Sequence, residues 1–132
     1  TRGPQHMAAR PHILVVDHSP ELLEFFQELL TEEGYCVTPW AQLEGGIDMV
    51  AKINPDLLMI EYRWEAMDET WSSLRQLRTH QLTRHVPIIL CTSLVREVGL
   101  FQQTLCELNV RVVLKPFEIE QLLGEIAAAL AA

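Results

Sequence analysis

The sequence predicts an α/β fold, a parallel sheet with helices on both faces, and three observations carry that prediction. Short apolar or β-branched runs alternate with helix-period patterns five times along the chain. Two of the runs, Ile13-Leu14-Val15-Val16 and Ile88-Ile89-Leu90, are apolar at successive positions, as strands buried on both faces should be. The 132 residues suit one domain with one core, and no internal repeat, low-complexity tract or Gly/Ser linker divides them.

The expected strands are residues 12–17, 35–38, 57–60, 86–92 and 110–114. The first helix is the clearest. Ser19 can cap it, Pro20 suits its first turn, and Leu22, Leu23, Phe26, Leu29 and Leu30 make one apolar face that Gly34 ends. Leu43, Ile47 and Val50 predict a second helix that stops before Asn54-Pro55. Trp71, Leu74 and Leu77 predict a third, and Val98, Phe101, Leu105 and Leu108 a fourth. Ile119, Leu122, Leu123, Ile126 and Leu130 predict a fifth, which the closing alanine-rich stretch completes. Thr1 to His6 lack pattern and read as a cloning scar ahead of a single domain over 7–132.

Composition narrows the function. Ten basic against eighteen acidic residues give a formal charge of −8, which argues against direct nucleic-acid binding, where affinity comes largely from neutralising phosphates. No apolar run is long enough for a membrane span and no secretory signal is visible, so a cytoplasmic location is expected. Cys36, Cys91 and Cys106 are odd in number and far apart, and read as small buried hydrophobes in a reducing compartment.

In an open parallel sheet, ligands meet the chain beyond the carboxyl ends of the strands. Asp17-His18 stand there after the first strand, and Glu61-Tyr62-Arg63 after the third. Thr92-Ser93 follow the fourth strand, and Lys115-Pro116-Phe117 the fifth. Two acids, a hydroxyl and a lysine therefore converge on one edge. Lys115 stands out because the chain has only one other lysine, Lys52. A compact ammonium beside two carboxylates suits a partly buried pocket. The turn after the first strand has no glycine, unlike a dinucleotide site.

These segments resemble the receiver domain of two-component response regulators, of the chemotaxis-regulator kind. The resemblance covers residues 12–131. It is carried by Ile13-Leu14-Val15-Val16-Asp17, Pro55-Asp56-Leu57-Leu58-Met59-Ile60, Met67-Asp68, Val86-Pro87-Ile88-Ile89 leading to Thr92, and Leu114-Lys115-Pro116-Phe117. It implies a flavodoxin-like, doubly wound (βα)5 fold with strand order 2-1-3-4-5. In such domains an aspartate ending the third strand takes a phosphoryl group from a sensor kinase's phosphohistidine. Two acids after the first strand and a backbone carbonyl after the acceptor hold Mg²⁺, while the lysine and the hydroxyl bind phosphoryl oxygens. Asp17, Thr92 and Lys115 match this pattern residue by residue.

The departures point to an atypical, pseudo-receiver variant. Glu61 stands at the acceptor position, and its extra methylene moves the carboxylate outward by about 1.5 Å. A misplacement of about 1 Å can cost a positioned reaction about a hundredfold. Glu61 is expected to pair with Lys115. Whether it holds the domain in one fixed state or is an inert replacement stays open. His18 stands at the second metal-ligand position, and imidazole is a poor ligand for Mg²⁺. No resident metal or cofactor is expected: Mg²⁺ would bind weakly, through Asp17 if at all, and a single histidine argues against zinc. Val112 occupies the place of the aromatic switch residue, so Thr92 lacks its usual partner. Glu65 and Glu69 replace the loop's common proline and glycine.

Trp64 and Met67, beside Tyr62, suit a lid or partner contact, Trp71 suits the core beneath the third helix, and Trp40 suits a loop anchor. His12, His80 and His85 are scattered and expected to be structural, and Ser93 lacks the relay a nucleophile needs. Catalysis is therefore not expected. The leading reading is a module that signals by protein contact, with a sensor kinase or output domain as partner. A homodimer through the face of the fourth helix, fifth strand and fifth helix is also open. The alternative is a phosphoacceptor that uses Glu61 with Mg²⁺. A flavin or nucleotide binder is disfavoured, because the acidic Asp17 turn repels phosphate.

Overall fold

The computed structural model describes residues 10–43 and 46–132, so the cloning-scar reading of Thr1 to His6 lies outside the described residues. Five strands form one parallel sheet in the order β2-β1-β3-β4-β5, as the resemblance implies. They are β1 (His12–Val16), β2 (Cys36–Trp40), β3 (Leu57–Glu61), β4 (Ile88–Thr92) and β5 (Val110–Leu114). The helices are α1 (Pro20–Glu32), α2 (Ile47–Ile53), α3 (Met67–Thr79), α4 (Val95–Leu100), α5 (Gln102–Glu107) and α6 (Ile119–Ala131).

The pleat sorts each buried strand between two apolar layers. Leu14, Val16, Leu58, Ile60, Ile88 and Leu90 face Val50 of α2, Leu74 and Leu77 of α3, and Leu105 of α5. Ile13, Val15, Leu57, Met59, Ile89, Cys91 and Val113 face Phe26 and Leu30 of α1 and Leu122, Ile126 and Ala129 of α6. Continuous apolar runs are thus required in β1, β3 and β4, which have helices on both sides.

Helix ends follow local chemistry. The Ser19 hydroxyl accepts the Leu22 N–H at 3.2 Å, and Pro20 takes the first turn. Gly34 leaves α1 at φ +96°, a region costly for any residue with a Cβ. Asn54 closes α2 in the left-handed region. The Arg78 guanidinium binds four backbone carbonyls, those of Leu108 (2.6 Å), Val86 (2.7 Å), Arg84 (3.0 Å) and Asn109 (3.2 Å). It thereby ties α3 to the turns before β4 and β5.

Four expectations need correction. The expected fourth helix is two short ones, meeting at Phe101 with φ −109° and ψ +21°, just after helix-weakening Gly99. Leu43 is buried but precedes α2. Trp40 ends β2 rather than anchoring a loop, because β2 runs on through Pro39. Cys36 and Cys106 are exposed, and only Cys91 is buried.

At the outer edge of the sheet, the Cys36 N–H and the Trp40 carbonyl bond toward β1, through Pro11 and Asp17. Val37 and Pro39, at the alternate positions of β2, therefore turn their backbone outward.

Candidate functional site

The sheet order reverses between β1 and β3, and the crevice beyond their carboxyl ends is where such folds bind ligands. Asp17 directly follows β1, Glu61 ends β3, and Lys115 reaches in just beyond the end of β5. Asp17 is 2% exposed; its Oδ1 accepts the Ser19 N–H at 2.9 Å, and its Oδ2 lies 3.5 Å from the Lys115 ammonium.

Glu61 is the hub. Its Oε2 lies 3.7 Å from Lys115 Nζ. Its Oε1 accepts the His18 backbone N–H at 3.1 Å and meets His18 Nδ1 at 2.6 Å. Arg63 Nε stands 3.6 Å from the same oxygen, while its terminal nitrogen reaches Glu65 at 3.5 Å. The extra methylene thus puts the carboxylate among an ammonium, a guanidinium and an imidazole. Lys115 was the expected contact; His18 is the nearer one. Arg63 was not singled out from the sequence. The short 3₁₀ turn Trp64–Ala66 follows it, and no side-chain pattern announces that turn.

Thr92 is buried; its hydroxyl donates to the Tyr62 carbonyl and accepts the Leu94 N–H at 3.0 Å. Tyr62 is buried beneath the pocket, and burial pushes its phenol up from the usual range. Its hydroxyl accepts the Trp71 indole N–H at 2.8 Å. Val112 is partly buried against the same apolar layer as Trp71, Leu94 and Val98. Trp64 is 65% exposed at the rim, whereas Met67 is partly buried and opens α3. His12 pairs with Thr38 at 2.6 Å, and His80 accepts the Leu82 N–H at 3.1 Å. Beside the pocket a cavity of about 170 Å³ is lined by Asp17, His18, Gln42, Glu61, Arg63 and Glu69, among others.

Asp17, His18 and Glu61 each offer a donor atom, all within 4.8 Å of one another. The set is a poor match for Mg²⁺. One donor is an imidazole, where this ion takes hard oxygens. Lys115 and Arg63 already supply positive charge to the carboxylates.

Comparison with known proteins agrees with this frame. Residues 13–127 match the family model for the response regulator receiver domain. Hybrid signal transduction histidine kinase D of Dictyostelium discoideum is 30% identical over 120 residues, which cover 89% of this chain and 7% of that protein. The chain therefore spans a small fraction of this relative's length. Many solved structures share the fold, two of which serve as examples. A sensor protein from Polaromonas sp. JS666 superposes with a TM-score of 0.80 at 22% identity, covering 93% of this chain and 98% of the other. The receiver domain of sensor histidine kinase PA1611 from Pseudomonas aeruginosa PAO1, which holds a magnesium ion in its active-site cleft, gives 0.77 at 22% identity, with 94% and 100% covered. By the matched segment and by its fold, the chain belongs to the response regulator receiver domain family.

Proposed function

We propose that this receiver domain is a pseudo-receiver: it works in two-component signalling by protein contact, without the usual aspartyl phosphorylation and without catalysis of its own. The observation that carries this reading is the engagement of Glu61. Its carboxylate meets Lys115, Arg63 and His18 at once, which leaves little freedom for in-line attack on a phosphoryl donor. A carboxylate carries one negative charge and a phosphoaspartate nearly two, so Glu61 acts as a partial, permanent substitute. The donor set supports a domain with no resident Mg²⁺.

The partner in this reading is a sensor kinase or an output domain, met in the cytoplasm. No described helix is long and apolar enough to cross a membrane. The charge of −8 supports a role without direct nucleic-acid contact. Exposed Val95, Leu100, Leu114 and Ile119 lie along α4, β5 and α6, and this face suits a homodimer.

The test is incubation with Mg²⁺ and a small acyl phosphate, followed by intact-mass measurement. The expected spectrum is unchanged. A stoichiometric phosphoryl adduct on Glu61 would instead establish the alternative, a glutamate phosphoacceptor, which the retained Lys115 and Thr92 favour. Under that alternative Trp64 fluorescence should also respond to millimolar Mg²⁺.

A further inference from the structure

Val112 leaves β5 without a ring where the family's resemblance calls for one, yet three rings line up elsewhere. Tyr62 follows Glu61 directly and is buried, so a shift of the backbone at the acceptor position carries its ring along. Tyr62 and Trp71 are locked edge-on, with centroids 5.8 Å apart, planes at 78°, and the indole N–H bonded to the phenol oxygen at 2.8 Å. Trp71 next meets Phe101, with centroids 5.1 Å apart and planes at 58°. The Arg75 guanidinium lies over the indole at 5.8 Å.

Phe101 is the residue at which α4 gives way to α5. Around it the surface is unusually apolar: Leu100 is 70% exposed and Val95 59%. Residue 62 has a second tie to the same segment, since Thr92 joins the Tyr62 carbonyl to the Leu94 N–H at the entry to α4. Contacts thus run from residue 62 to α4 through a hydroxyl and to the α4–α5 break through a column of rings.

We infer that Tyr62, Trp71 and Phe101 form the link between the Glu61 pocket and the α4–α5 surface, replacing the ring absent at position 112. The link does not depend on whether Glu61 accepts a phosphoryl group, so it stands or falls separately from the function proposed above. Its geometry requires Tyr62 and Trp71 to move as one unit and Phe101 to follow. The surface bearing Val95, Leu100 and Phe101 is the part that would change.

The test perturbs one end and reads the other. Glu61→Gln keeps the shape of the side chain and removes its charge. In the full chain it should speed amide exchange across residues 95–107 by about threefold, with β1 amides unmoved. The Trp71 signal should shift at the same time. That signal is read by fluorine NMR on protein labelled with fluorotryptophan, which needs no removal of Trp40 or Trp64. Tyr62→Phe keeps its ring and deletes only the hydrogen bond to Trp71, while Trp71→Phe keeps an aromatic side chain there but removes the indole and its N–H. In either background the effect of E61Q on residues 95–107 should fall to about half or less. The inference is overturned if E61Q leaves the Trp71 resonance and the exchange of 95–107 unchanged. It is equally overturned if E61Q acts at full strength in both phenylalanine backgrounds.

Discussion

Replacing Lys115 with methionine removes one positive charge and little volume, and the pocket geometry sets what that should cost. The ammonium lies 3.5 Å from Asp17 and 3.7 Å from Glu61. At an effective dielectric of about 20, each contact is worth about 4.5 kcal/mol of Coulomb energy before desolvation. Desolvating the lysine cancels much of this, and at 21% exposure solvent screens part of the remainder. Asp17 dominates the balance. It is 2% exposed, keeps the Ser19 N–H at 2.9 Å and the His18 imidazole at 3.8 Å, and loses its ammonium counter-ion. A net loss of about 2 kcal/mol follows, below the usual 3–5 kcal/mol because the contacts are longer than a tight ion pair. Over 132 residues, at about 2.1 cal/mol/K each, that is a Tm lower by about 7 °C. Urea denaturation followed by tryptophan fluorescence measures it. Asp17→Asn in the same chain should recover at least half of the loss, since it removes the stranded charge. A K115M variant within about 0.5 kcal/mol of the parent would refute the reasoning, because it would mean Asp17 is held without Lys115.

Two further predictions concern the scaffold. Arg78→Ala should lower stability by about 3 kcal/mol in the same assay, because four carbonyls around the β4 and β5 turns lose a shared donor, and Arg78→Lys should rescue little because an ammonium cannot span them. A thiol reagent at neutral pH should label Cys36 and Cys106 quickly and Cys91 only on unfolding, since burial pushes the Cys91 thiol up to about 12. The same shift means the unfolded chain loses this proton first, so Cys91 weakens the fold as pH rises from 9.0 toward about 12.

The strands in the middle of the sheet were legible because burial on both faces leaves no polar alternation, and Ile13 to Val16 and Ile88 to Leu90 could be little else. Boundaries were harder at the edges. β2 includes Pro39, which reads as a strand breaker until its outward position is seen, and Cys36 is exposed because an edge strand is covered less. The candidate site was legible as a set of strand ends, since topology alone brings Asp17, Glu61, Thr92 and Lys115 together. Arg63 and the Tyr62–Trp71 pair were not, because side-chain direction there depends on the 3₁₀ turn before α3. The split of α4 from α5 also escaped, since both pieces keep one apolar stripe across Phe101.

Pro39 has a consequence beyond its own strand. A sheet edge invites another chain to add a strand, and the outward-turned position 39 has no N–H to offer such a guest. Growth by strand addition is therefore discouraged beside β2, and among the described strands β5 is the only other edge. Assemblies that polymerise edge to edge need two welcoming borders, so this domain is protected against open-ended β-stacking.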